Sequence, residues 1–352
     1  MAEKPTVLMT GVSGKLGLRV LKQLTDFHVV GMDVQRPEDS SALTYFEESD
    51  LAQERSCDQL LHLLRAYRPE AVIHLSFVVD PTRSRVMDRA RMWHINVAGT
   101  GRVVEAIAEH NRILGGMNKF IFPSNASVYG PDLSKPVSED SPLQAESLHS
   151  AIDTKEVDLA IQGRAKAMKC RTYILRPTLF AGANVQNYFL GILRGVPGGQ
   201  KPLARRLQQR GKRVPLVLPS GGNYLEHKFQ FVHVEDLARL IAHIVRRKQF
   251  DPPLNILNVT GRGDPVQLGT CARMAGLEIK RVPGRYAWEM LLRALWRLGI
   301  SDVPPEALPY LLGSQTIQTA RLRVFLGEEY KKVIHYTCEE ALAESLRNSV
   351  SG

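Results

Sequence analysis

Three glycines near the start of the chain, Gly11, Gly14 and Gly17, constrain its fold more than any other feature. They follow a run of strand-forming residues from Thr6 to Thr10, and a helical pattern begins directly behind them. In a strand–turn–helix that receives a pyrophosphate, the first glycine permits the tight turn. The second lets the backbone approach the phosphates, and the third lets helix and strand pack closely. The helix start then aims N–H groups and a partial positive charge at the anion. A glycine triplet alone is weak evidence, because many loops are rich in glycine. Here a second strand, His28 to Met32, ends in Asp33, 22 residues beyond Gly11. That is where a carboxylate takes the ribose hydroxyls of an adenine dinucleotide. Asp33 favours NAD, because its charge repels a 2′-phosphate; Arg36 leaves NADP as the second choice.

Behind this stretch, strand and helix alternate. A helix is predicted from Cys57 to Tyr67, a strand from Ala71 to Leu75, and a helix from Val86 to His110. A strand from Lys119 to Phe122 follows, then a loop over 131–147, a helix from Ser150 to Met168 and a strand from Cys170 to Leu175. Such alternation implies an α/β fold with parallel strands covered on both faces. We expect a dinucleotide-binding domain over 1–178 and a substrate-binding lobe over 179–352. Strands near 229–234 and 254–259 are expected to return to the first domain, and 181–227 reads as irregular. An amphipathic helix from Tyr286 to Leu298 is expected to pack on the fold rather than lie on a membrane.

The charge balance raises a question about partners. The net charge is +10, and the stretch 191–225 holds no carboxylate, while Arg194, Lys201, Arg205, Arg206, Arg210, Lys212 and Arg213 are cationic. A solvated basic loop is the plain reading; an anionic substrate, a membrane surface or an acidic partner stays open. Nucleic acid is disfavoured, since no aromatic residues are interleaved for base stacking. The four cysteines form no CxxC pair, and no metal site is expected. No signal peptide or membrane-spanning run is apparent, so a cytoplasmic protein acting on a small molecule is expected, with a homodimer left open.

With these pieces placed, the chain resembles the extended short-chain dehydrogenase/reductases, the group of NAD-dependent nucleotide-sugar epimerases and dehydratases. Gly11, Ser13, Gly14, Lys15, Leu16 and Gly17 match its TGxxGxxG turn, and Asp33, Asp50 and Leu51 its ribose and adenine contacts. Leu75 and Ser76 look like the strand passing beside the cofactor, Asn96 opens an NVxGT helix, and Pro177 closes the nicotinamide-side turn. The resemblance implies a Rossmann-type doubly wound parallel sheet with a smaller, mostly helical C-terminal substrate lobe. It also implies a hydride moved between nicotinamide and a sugar carbon while a tyrosine, aided by a lysine four residues on, exchanges a proton with the oxygen. Lys155 occupies the lysine position, but Ala151 stands where the tyrosine is expected and Asn125 where a Ser or Thr aligns the reacting oxygen. Ser127, Tyr129 and His149 are the first substitutes to test, although Tyr129 reads first as a packed strand-end tyrosine and His149 lies off the helix face of Lys155; Ser127 shares a strand face with Asn125 by the period of two. Phe229 stands about where such enzymes often place a diphosphate-binding arginine. Two functions remain: an epimerase/dehydratase-like oxidoreductase with another proton donor, or a dinucleotide-binding sensor or interaction protein without turnover.

Overall fold

The computed structural model describes residues 4–80, 84, 86, 88–199, 201–211 and 213–347. Seven parallel strands form the main sheet: β1 (Thr6–Thr10), β2 (His28–Asp33), β3 (Tyr45–Glu48), β4 (Ala71–His74), β5 (Lys119–Pro123), β6 (Arg171–Pro177) and β7 (Leu254–Val259). Their order is β7-β6-β5-β4-β1-β2-β3, so the connections reverse direction between β1 and β4. The crevice outside the carboxyl ends of the strands at that point is where such sheets bind ligands.

Both faces of the sheet are apolar because side chains alternate along each strand. Val7, Met9, Ile73 and Leu175 face α1 (Lys15–Gln23) and the helix Val234–Arg246. Leu8, Val72, Phe120 and Ile174 face α2 (Ser56–Tyr67), α3 and α4 (His149–Arg164). Helix α3 runs as Arg89–Trp93, a π turn His94–Ala98, and Gly99–Ile113. Asp88 starts it by accepting the Ala90 and Arg91 N–H groups, a side-chain cap that places the first turn three residues after Val86.

The C-terminal lobe departs from the sequence reading in several places. Within 181–227 there are two helices, α5 (Tyr188–Arg194) and α6 (Pro202–Gln209), and a strand Leu216–Pro219. Gly195, left-handed at φ 63°, ends α5, and Pro202 opens α6, so the Gly and Pro of this irregular-looking stretch are helix punctuation. The strand at Phe231–His233 does not join the main sheet; it pairs with Leu179–Ala181, where the chain bends away after Pro177. The strand near 254–259 is β7 and lies beside β6. Strands Tyr45–Glu48 and Leu133–Val137 occupy stretches read as loop. The lobe is completed by α7 (Gly284–Arg297) and α8 (Leu308–Leu312), packed around Phe189, Phe229, Phe231 and Trp288.

Candidate active site

The glycine turn is shaped by contacts that leave no room elsewhere. Gly11 has φ +69°, and a Cβ there would lie 2.5 Å from the Leu75 carbonyl carbon. A Cβ on Gly17 would lie 2.3 Å from the Gly11 carbonyl oxygen. Gly14 differs: its backbone is extended, and a Cβ would meet only the Gly11 carbonyl oxygen, at 3.2 Å. The outer side of Gly14 is therefore open, and α1 begins there with no side-chain cap on its first-turn N–H groups. Asp33 ends β2 beside this turn, accepting the Ser13 N–H at 2.9 Å and the Val34 N–H at 2.8 Å. Burial raises the Asp33 pKa above the ordinary carboxylate value, against the pull of those two donors. The Ser13 hydroxyl donates to the Gln35 carbonyl at 2.5 Å, so it braces the loop after β2. Lys15 reaches Gln186 Oε1 at 3.3 Å and ties α1 to the C-terminal lobe, while Leu16 packs on the cores of both halves. Asp50 accepts the Ala52 N–H and pairs with Arg91 at 3.0 Å; Leu51 is buried, its carbonyl accepting from Arg102 at 2.8 Å.

A buried histidine steadies the strand that passes this crevice. His74 lies between Thr10 Oγ1 at 2.7 Å and Thr100 Oγ1 at 2.9 Å. Thr100 donates onward to the Asn96 carbonyl, so His74 Nε2 carries the proton and Nδ1 accepts from Thr10. Thr10 Oγ1 in turn faces the Ser76 N–H at 3.4 Å. Burial holds the His74 pKa down at about 3. An unfolded histidine titrates near 6.5, so this group's contribution to stability is complete above that pH and is lost as pH falls towards 3. Over that window it should cost about 1.4 kcal/mol per pH unit. Urea unfolding at stepped pH should show that slope, and His74→Gln should be less stable at pH 7 yet flatter below 6.5.

Asn96 is committed inside the chain. Its Nδ2 donates to the Val78 carbonyl and to Asp153 Oδ2, and its Oδ1 accepts the Val78 N–H. Both amide protons are used, so this side chain holds the loop after β4 against α4 and α3; it has no donor left for a cofactor. Arg89 binds the same buried Asp153.

At the other end of the crevice, β5 stops at Pro123 and the chain turns into a short 3-10 helix, Ala126–Tyr129. The strand periodicity expected for Asn125 and Ser127 therefore does not apply. Asn125 caps that turn, its Oδ1 accepting the Ser127 N–H at 2.8 Å. Tyr129 is not at a strand end facing substrate. Its hydroxyl donates to Asn258 Oδ1 at 2.7 Å and accepts from Arg176 Nη1 at 2.8 Å. Arg176, itself only 1% exposed, holds Asp158 through two further bonds, and Ser124 donates to the same carboxylate. This buried cluster fixes the ends of β5, β6 and β7, and it withdraws Tyr129 from the crevice. Pro177 closes β6 opposite Val259.

Lys155 sits on α4 with its ammonium donating to the Ala145 carbonyl at 2.9 Å. One turn earlier, Ala151 is buried against Ala145, Leu148 and Tyr310. Tyr310 comes from α8 of the C-terminal lobe. Its hydroxyl lies 3.1 Å from the Glu146 carbonyl and 3.4 Å from that of Ser127, and accepts the Glu146 N–H at 3.3 Å. Burial pushes its pKa up to about 12, so it is a protonated donor at neutral pH. The phenol and the Lys155 ammonium thus bond consecutive carbonyls of one loop. The sequence reading passed over Tyr310, since no local pattern links it to α4.

The sequence pattern of the NAD-dependent epimerase/dehydratase family matches residues 7–260. The chain belongs to that family. Among curated relatives, a UDP-glucose 4-epimerase of Azospirillum brasilense is 28% identical over 264 residues, 69% of this chain and 68% of its own length. A UDP-glucose 4-epimerase of Bacillus subtilis is 28% identical over 306 residues, covering 80% of this chain and 84% of that one. The fold is shared with the Thermus thermophilus UDP-glucose 4-epimerase solved with NAD. That structure has a TM-score of 0.63 at 15% identity, with 99% of each chain covered. MoeE5, solved with UDP-glucuronic acid and NAD, gives 0.63 at 19% identity, over 98% of this chain and 99% of that one. NAD is the family's cofactor, and the site fits it: open space at Gly14, an uncapped helix start and a carboxylate at the end of β2. Among the described residues no helix is long and apolar enough to cross a membrane, and no three His, Cys, Asp or Glu side chains converge on a metal position.

Proposed function

We propose that this chain is an NAD-dependent oxidoreductase of the epimerase/dehydratase type acting on a nucleotide-sugar or related alcohol, with Tyr310 as its proton donor. What supports the reading is that Tyr310 and Ala151 share one small buried cluster, with the Tyr310 hydroxyl and the Lys155 ammonium on consecutive carbonyls of one loop. Gly11, Gly14, Gly17 and the start of α1 would hold the pyrophosphate, Asp33 the adenosine ribose, and Asp50 and Leu51 the adenine side. Leu75, Ser76 and Pro177 would line the nicotinamide side. Bound NAD supplies a hydride acceptor and donor.

The chain's own part is to orient the alcohol and manage its proton. Asn125 keeps its Nδ2 protons to donate, since its Oδ1 is taken by the Ser127 N–H, and Ser127 offers a hydroxyl beside it. In the reaction Tyr310 exchanges its bond to the Glu146 carbonyl for one to the substrate oxygen and delivers its proton there as the carbonyl is reduced; the Glu146 N–H and Lys155 steady the phenolate that is left. Support for the nucleotide-sugar class comes from the relatives that are UDP-glucose 4-epimerases. Phe229 does not support a UDP-sugar in particular: it is wholly buried against Phe189 and holds no diphosphate.

Calorimetry with NAD(H) and NADP(H) tests the cofactor half of the proposal. NAD(H) should bind more tightly, and Asp33→Ala should narrow the gap; equal affinities in the starting protein contradict the role of Asp33.

A further inference from the structure

Two helices of the C-terminal lobe carry more apolar surface than the fold uses. Of the fourteen residues of α7 only Trp288 is fully buried, its indole N–H donating to the Val217 carbonyl at 2.7 Å. Tyr286, Met290 and Leu291 of that helix, and Leu298 just after it, are exposed, Tyr286 to 78%. Leu203 on α6 is exposed too. The two helices meet: Lys201, which caps α6, donates to the Arg297 carbonyl at 2.8 Å, and the Gly199 N–H donates to the Ile300 carbonyl at 3.1 Å.

Cations outnumber carboxylates along these two helices, with Glu306 beside Arg293 and Arg297. Arg205, Arg206 and Arg210 lie on or just after α6, and Arg281, Arg285, Arg293 and Arg297 lie on or just before α7. Against them stands Glu289, which bonds Arg285 at 3.0 Å and lies 3.8 Å from Arg293. The others pair with no carboxylate among the described residues; Lys212 lies outside those residues. Beneath the face is an apolar cavity of about 100 Å³, lined by Phe189, Ile192, Leu218, Trp288 and Leu292. Val196 lines it as well and is itself 51% exposed, so the cavity reaches the surface on this side.

A nucleic acid would be served by cations with stacking rings, and exposed Met and Leu would add nothing. An acidic protein would meet the same arginines, and the vesicle experiment below separates it from a lipid surface. Tyr, Met and Leu interleaved with arginine on amphipathic helices is the composition that enters the boundary between headgroups and acyl chains. We propose that this face docks on an anionic phospholipid bilayer, with Tyr286, Met290, Leu291, Leu298 and Leu203 entering the boundary and the arginines binding lipid phosphates. The docked cavity then opens towards the acyl layer. The proposal stands apart from the chemistry assigned to Tyr310.

Co-sedimentation with phosphatidylcholine vesicles, with and without phosphatidylserine, tests it on the full chain. Binding should require phosphatidylserine and weaken as salt rises. It should fall roughly a hundredfold or more in Arg205→Glu/Arg206→Glu/Arg210→Glu, from the loss of about 1 kcal/mol for each of the three cations near the surface. It should fall similarly in Tyr286→Ser/Met290→Gln/Leu298→Ser. Both variants should keep the starting protein's NAD affinity, which shows that they fold. No vesicle binding at low salt overturns the proposal. So does vesicle binding that the apolar substitutions leave unchanged, which would mark a general polyanion surface.

Discussion

Gly14→Val is expected to fold and to lose NAD. The extended backbone at Gly14 suits any residue, and a Cβ there meets only the Gly11 carbonyl oxygen, at 3.2 Å, so the apo fold yields by a few tenths of an ångström. The pyrophosphate needs that same space. Two displaced charge-assisted hydrogen bonds would cost at least about 3 kcal/mol, roughly a hundredfold or more in affinity. Gly17→Val should instead fail to fold, because its Cβ would lie 2.3 Å from the Gly11 carbonyl oxygen with backbone on every side. Calorimetry with NAD and thermal unfolding without it separate the two cases. An unchanged affinity in Gly14→Val, or its unfolding alongside Gly17→Val, would contradict the assignment of the turn.

Tyr310→Phe is expected to lower kcat by about 10²–10⁴ with little change in KM, the usual cost of a missing general acid. The phenylalanine ring keeps the contact with Ala151, so stability should fall only by the lost hydroxyl bonds, about 1 kcal/mol. The packing also shapes the restoring experiment. Ala151 and Tyr310 share one buried cluster, so Ala151→Tyr alone overpacks the site and should cost at least about 1–3 kcal/mol by the usual order of magnitude. Ala151→Tyr combined with Tyr310→Ala makes the room and should recover activity lost in Tyr310→Ala.

The parts that could be read from the sequence are those whose requirements are local. The glycine turn and Asp33 needed only spacing, since Gly14 and Gly17 answer to Gly11 and Val12 within one strand–turn–helix, although Gly11 is itself held against Leu75. The buried strands were readable because both faces of the sheet demand apolar residues. Tyr45–Glu48 and Leu133–Val137 escaped because they are short, with little apolar–polar alternation to find. Asn125 and Ser127 were misplaced by strand parity, since Pro123 ends β5 and the 3-10 turn resets the direction of every side chain after it. Tyr129 could be read as a packed tyrosine, but not its partners: Arg176 and Asn258, far along the chain, close on its hydroxyl. Tyr310 lies 159 residues from Ala151, and only the folding of α8 over α4 brings them together. No periodicity carries that information.

The central claim is that this site transfers a hydride and that Tyr310 moves the accompanying proton. It is tested most directly by rapid mixing of the NAD-loaded protein with UDP- and dTDP-hexoses while the reduced-nicotinamide absorbance is followed. The unaltered protein should reduce its cofactor with at least one of these sugars. With that sugar, Tyr310→Phe should return the reduced cofactor to its oxidised form at least about a hundredfold more slowly. Equal rates in the two proteins, or no reduction by any sugar nucleotide in a protein shown to hold NAD, would contradict the account.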